Sequence, residues 1–128
     1  MANNFDTDDM TGMFDTNDIE QNKAMTIVAY IPLLFLIPLL AASSSKYAKF
    51  HANQGLILTI FAFVSAVINA LIDFIIGWIP VIGGIISGVV SVALGVAVLA
   101  YIVIGIVNAV QGKAKKLPVI GDLLDVIK

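Results

Sequence analysis

The chain has 128 residues, 59% of them apolar and 12% charged, with a formal net charge of −2. Soluble domains carry about 45–50% apolar and about 25% charged residues, so composition argues against a water-soluble monomer and against a charged catalytic cleft. There is no cysteine, a single histidine and no arginine, which removes thiol chemistry, cysteine- or histidine-rich metal sites and a basic nucleic-acid face; no enzyme activity, cofactor or nucleic-acid partner is expected.

Charge is distributed in blocks. Residues 1–23 hold Asp6, Asp8, Asp9, Asp15, Asp18 and Glu20 against one base, Lys23. Residues 1–16 read as an acidic, flexible tail. Within it Phe5–Met10 is echoed by Phe14–Ile19, and Asn17 with Glu20 three residues later is placed to cap a helix. Residues 17–112 read as a transmembrane domain. Its first span is expected over about 24–42, a chargeless run long enough to cross a hydrocarbon core of about 30 Å. Pro32 and Pro38 lie inside it, so the run is either a kinked crossing or a re-entrant hairpin with the N-terminus on the cytoplasmic side.

After Lys46 and Lys49, residues 50–112 carry a single formal charge, Asp73. That block is too long for one crossing and breaks at Gly77-Trp78-Ile79-Pro80-Val81-Ile82-Gly83-Gly84, which combines turn formers with an interfacial tryptophan. The second and third spans are therefore expected at about 54–76 and 85–109. Three crossings put Lys46 and Lys49 on the same side as Lys113, Lys115 and Lys116. The positive-inside bias makes that side cytoplasmic and sends the acidic N-terminus to the far side.

On the third span Gly88, Ser91, Gly95, Gly105 and Ala109 share a stripe, and Gly84 with Gly88 forms G-x-x-x-G. Small residues let helices approach closely in lipid, where the hydrophobic effect no longer drives them together. The stripe is expected to face another helix, of this chain or of a second copy. Asn69 and Asp73 lie one turn apart near the far end of the second span. They read as an interfacial, neighbour-bonded pair or as a cation or proton site. At the other end His51, Asn53 and Gln54 lie level with Asn108 and Gln111 and are expected to form a polar cluster. Residues 113–128 read as a basic link at the headgroups followed by an amphipathic interfacial helix, with Ile120, Leu123, Leu124 and Ile127 on one face. Its start, Leu117-Pro118-Val119-Ile120-Gly121, echoes Ile79-Pro80-Val81-Ile82-Gly83.

The fold expected is thus all-α: an integral membrane bundle of about three transmembrane helices with a C-terminal interfacial helix. Two stretches are more specific than generic membrane sequence: Lys49-Phe50-His51-Ala52-Asn53-Gln54-Gly55-Leu56, and Asn108-Ala109-Val110-Gln111-Gly112 running on through Lys113 to Gly121. With Asp18–Lys23 and Ile37-Pro38, they resemble a bacterial family of small membrane proteins. That family is similar to the twenty-kilodalton component of the chloroplast Tic translocon and to magnetosome membrane proteins of the MamF and MmsF type. The resemblance spans about residues 17–122 and marks Phe50, His51, Asn53, Gln54 and Gly55 as motif positions. It implies an integral membrane protein with three or four helices and no known catalysis. The chloroplast relatives imply a role in a translocation channel, the magnetosome relatives one in shaping or maturing a membrane compartment. From the residues themselves, the leading expectation is a self-assembling or scaffolding component. Its partners would be the bilayer, further copies of the chain and other membrane proteins.

Overall fold

The computed structural model describes residues 9–122. Four α-helices follow in order: α1 (Thr16–Ile27), α2 (Leu36–Ala41), α3 (Lys46–Ile76) and α4 (Ile82–Val110). Short 3₁₀ turns at Thr11–Met13 and Val28–Tyr30 flank α1. Among the described residues there is no strand, only an isolated antiparallel bridge between Asp9 and Lys115.

Two helices, α3 and α4, are long and apolar enough to cross a membrane. At a rise of about 1.5 Å per residue they are roughly 45 Å long. Only 22% and 6% of their most apolar windows are buried, so neither is the core helix of a soluble domain. They pack as a hairpin closed by residues 77–81. There Trp78 is 75% exposed and its indole N–H donates to the Ile75 carbonyl.

The expected span over 24–42 is not one helix. Its polar beginning belongs to α1, which starts earlier, with Asp15 as the N-cap accepting from the Asn17 N–H; Asn17 itself lies inside the helix. Pro32 then ends the helical path. The residue before a proline is pushed out of the α region, and Ile31 is extended at φ −92°, ψ 126°. Pro32 and Leu33 form a type II turn closed by Leu34 N–H to the Ile31 carbonyl, with Leu33 at φ +75°. Pro38 falls in the first turn of α2, where a missing N–H costs nothing. The two prolines therefore fold the run back on itself instead of kinking a crossing.

The core gathers at one end of the hairpin. Ala29, Tyr30, Phe35, Ile57, Leu58, Ala109, Leu117 and Ile120 form one buried cluster, and Ile19, Tyr47 and Ala114 a smaller one. Beyond them, from Ile60 on α3 and through most of α4, large apolar side chains such as Phe63, Phe74, Val89 and Leu99 stand exposed. The N-terminal residues share the core end: Met10 N–H donates to the Ala114 carbonyl at 2.8 Å. This corrects the far-side placement for the described part of the N-terminal region: because the run over 24–42 folds back, residues 9–18 lie at the lysine-bearing end of the hairpin and not at its turn.

α4 ends in a Schellman motif. Gly112 takes φ +70°, the Lys113 N–H reaches the Asn108 carbonyl at 2.9 Å, and the Gly112 N–H reaches Ala109 at 3.0 Å. The Pro-Val-Ile echo is a backbone repeat. Val81 (φ +63°) and Val119 (φ +68°) each centre a γ-turn, with Ile82 and Ile120 N–H donating to the Pro80 and Pro118 carbonyls at 2.7 Å. The first copy launches α4. The second opens into turns over the described residues 118–122 instead of the expected interfacial helix. The continuation of that helix through Leu123, Leu124 and Ile127, like the Phe5–Met10 copy up to residue 8, lies outside the described residues.

Candidate functional site

The motif around His51 sits in the first turns of α3. Ser45 caps the helix, its hydroxyl oxygen accepting from the Ala48 N–H at 3.0 Å. The same hydroxyl donates to the Asp18 carboxylate, which also accepts from the Tyr47 N–H at 3.0 Å. A carboxylate on α1 thus lies over the positive end of α3. This dual cap starts α3 at Lys46, eight residues before the expected boundary.

Burial raises the Asp18 pKa, but hydrogen bonds from Ser45, the Tyr47 N–H and Asn22 outweigh it and hold the carboxyl below its ordinary value. A depressed folded-state pKa contributes stability that is full above the unfolded value and is lost as pH falls through the folded one. Apparent melting temperature in detergent is therefore expected to fall below about pH 4. In an Asp18→Asn variant that part of the pH dependence is expected to vanish; an unchanged acid limb would remove Asp18 from the account.

One turn further, His51 is completely buried. Its Nε2 lies 3.0 Å from the Lys113 carbonyl oxygen and must donate to it. Nδ1 is then free to accept from the Tyr30 hydroxyl, which is in hydrogen-bond contact. Tyr30, Tyr47 and Phe50 present edge-on ring contacts to the imidazole at 4.7–5.4 Å between centroids. Phe14 closes on Phe50 from outside at 5.7 Å. Both ring nitrogens are occupied by the protein, so the imidazole works as a joint between three segments.

Gln54, on the same face, grips the segment after α4 with both ends of its amide. Oε1 accepts from the Leu117 N–H at 2.9 Å and Nε2 donates to the Gly121 carbonyl at 3.1 Å. Tyr101 adds a third hold, its hydroxyl donating to the Pro118 carbonyl at 2.8 Å. Gly55 lets the 28–30 turn lie directly on α3, since a Cβ there would overlap the Ala29 carbonyl. Asn53 is buried in the same turn, and Asn108 lies level with it on α4. Of the residues expected to cluster, His51 and Gln54 bond to backbone groups of residues 113–121 and His51 also to the Tyr30 hydroxyl, while Gln111 is exposed.

The remaining candidates divide. Gly105 and Ala109 face inward, Gly105 directly beneath the Tyr30 ring. Gly84, Gly88 and Gly95 face outward, and a methyl added at any of them would have nothing within 4 Å. The stripe therefore does not pack on one neighbour: its C-terminal part meets the 28–30 turn and its N-terminal part is open. Ser91 donates to Asn69 across the hairpin at 2.7 Å, so Asn69 pairs with α4 and not with Asp73, which is exposed. Lys116 pairs with Asp122, Lys113 is exposed, and the backbone of Lys115 forms the isolated antiparallel bridge with Asp9. Tyr30, Tyr47, Tyr101 and Asp18 were not singled out from the sequence. The one available signal was that Tyr30 and Tyr101 each carry a hydroxyl into an otherwise aliphatic stretch of sequence.

No curated protein and no solved structure matches the chain. Over residues 21–124 it matches the MamF/MmsF family, described as the magnetosome magnetite crystal formation protein family. The match takes in the His51–Gln54 motif, the hairpin and the latched segment after it. Of the two likenesses read from the motifs, the magnetosome one is shown and the chloroplast translocon one is not. With 104 of its residues inside that match, counted from 21 to 124, this membrane chain belongs to the MamF/MmsF family.

Proposed function

We propose that this chain is a non-enzymatic accessory protein of the magnetosome membrane. It is anchored by the α3–α4 hairpin and acts in magnetite crystal formation by associating with further copies of itself and with other membrane proteins. The observation that carries the reading is the family match over residues 21–124.

Association is supported by the outward face of α4, where Gly84, Gly88 and Gly95 have no neighbour within 4 Å; in lipid such a face favours close helix contact. It is also supported by Asn69 and Ser91. Counted from Trp78 and Ile82 they lie about 13 Å inside the hairpin, near the middle of a core of about 30 Å. Asn69 spends its oxygen on Ser91, and its amide nitrogen has no partner among the described residues. A second copy in the same orientation carries an acceptor at that depth. The lysines at 46, 49, 113, 115 and 116 favour a cytoplasmic position for the core end and the C-terminus.

The test is a Gly88→Leu, Gly95→Leu variant produced in magnetosome-forming cells that lack their own copy. It is expected to reach the membrane in normal amount, to lose the dimer captured by a single cysteine at Val92, which lies on the same face of α4, and to leave crystals of altered size by electron microscopy. Parent protein that is never captured as a dimer, or normal crystals in cells without any copy, would overturn the reading.

A further inference from the structure

The two ends of the hairpin are unequally thick. The turn end consists of α3 and α4 alone. The core end adds α1, the 28–30 turn, α2 and residues 113–122. About twenty residues span the hydrocarbon core; counted back from Ile76 they reach Ile57, and counted forward from Ile82 they reach Tyr101. The Leu33 N–H donates to Thr59 Oγ1 at 3.0 Å. The tip of the folded-back run therefore lies within one helical turn of the membrane boundary on the lysine side.

That tip is strongly apolar and faces outward. Ile31, Leu33, Leu34, Leu36, Ile37 and Leu40 are all 37–75% exposed. There is no charge from Ala24 to Ser45, and Lys46 and Lys49 follow directly. Leu33 takes φ +75°, a left-handed conformation that a residue with a side chain keeps only where the surroundings impose it. Here the strain thrusts a leucine outward. The surface is continuous with the lipid-facing collar of α3, and lysines stand where phosphate headgroups would lie. Both features identify its occupant as one leaflet of an anionic bilayer.

We propose that residues 31–40 are a shallow wedge that widens the protein in the lysine-side leaflet alone, so that it prefers strongly curved membrane with that leaflet convex. The inference rests on the hairpin anchoring proposed above and is independent of self-association.

The test uses the full chain carrying Lys113→Cys as its single cysteine, reconstituted into giant vesicles of phosphatidylcholine and phosphatidylglycerol. A membrane-impermeant dye added outside marks only molecules whose core end faces out. Narrow tubes are then pulled from the vesicles. The labelled protein is expected to be enriched about twofold or more on the tube relative to a lipid dye. A Leu33→Ser, Leu36→Ser, Leu40→Ser variant, altered only at exposed positions, is expected to distribute evenly. Equal density of the parent on tube and vesicle, or enrichment that survives the triple substitution, would overturn the wedge. Failure of the anchoring is distinguishable, because the outside-labelled fractions of Lys113→Cys and Trp78→Cys proteins, which sum to one for a spanning hairpin, would then both approach completeness.

Discussion

Alanine at Gly105 is expected to cost about 3 kcal/mol or more, at the upper end of what overpacking does to a closed site. The added methyl would overlap the ring of Tyr30. That ring cannot swing aside: Tyr30 is fully buried, its hydroxyl is bonded to His51, and His51 is bonded in turn to Lys113. Strain at one α4 glycine therefore reaches α3 and the segment after α4. Gly88→Ala is the control, because nothing lies within 4 Å of its added methyl. Apparent melting temperatures in detergent should separate the two variants clearly, with Gly88→Ala close to the parent. Equal melting of all three would mean that the 28–30 turn does not rest on α4.

The second large effect is expected at Gln54. Alanine there leaves the Leu117 N–H and the Gly121 carbonyl without their amide partner in a buried setting, at about 1–3 kcal/mol for each group. The penalty falls on residues 117–121, whose other holds are Tyr101 and the burial of Leu117 and Ile120, so these residues are expected to loosen while α3, α4 and the pairing of Ala114 with Met10 persist. Hydrogen exchange reads this directly: the Leu117 amide should lose most of its protection, while amides in the middle of α3 keep theirs. Protection at Leu117 that survives the substitution would show that Tyr101 and His51 hold the segment without Gln54.

These two sites also show which features could be read from residue order. The hairpin was legible, since two chargeless runs of membrane length with a Gly-Trp-Ile-Pro break admit few arrangements, and α3 and α4 contain the expected 54–76 and 85–109. The fate of the run over 24–42 was not legible. Pro32 and Pro38 are compatible with a kink or a reversal. The reversal is favoured by contacts distant in sequence, from Thr59 to the Leu33 N–H and from Gly55 to the Ala29 backbone. The small-residue stripe was visible as a pattern, but periodicity cannot say whether a glycine faces its own chain or lipid; Gly105 does the first and Gly88 the second. The motif was visible as a cluster of polar side chains. That His51 and Gln54 bind backbone over sixty residues away follows only once the Schellman turn at Gly112 directs the chain back across α3.

The repeated Pro-Val-Ile turn illustrates the same limit. Its two copies share dihedrals and hydrogen bonds, yet only the first continues as a helix over the described residues. The difference lies in the residues downstream of each turn. Gly83-Gly84-Ile85 leads into a long apolar run, whereas Ile120 and Gly121 are held by the core and by Gln54.

The central proposal is that α3 and α4 each cross the membrane, with Glu20 on α1 and Lys113 after α4 at the same face. The chain has no cysteine of its own, so single cysteines at Glu20, Lys113 and Trp78 can be labelled one at a time with an impermeant reagent in sealed cells and in inverted vesicles. The account predicts that Glu20 and Lys113 label from one face and Trp78 from the other. Labelling of Glu20 from the same face as Trp78 would contradict it.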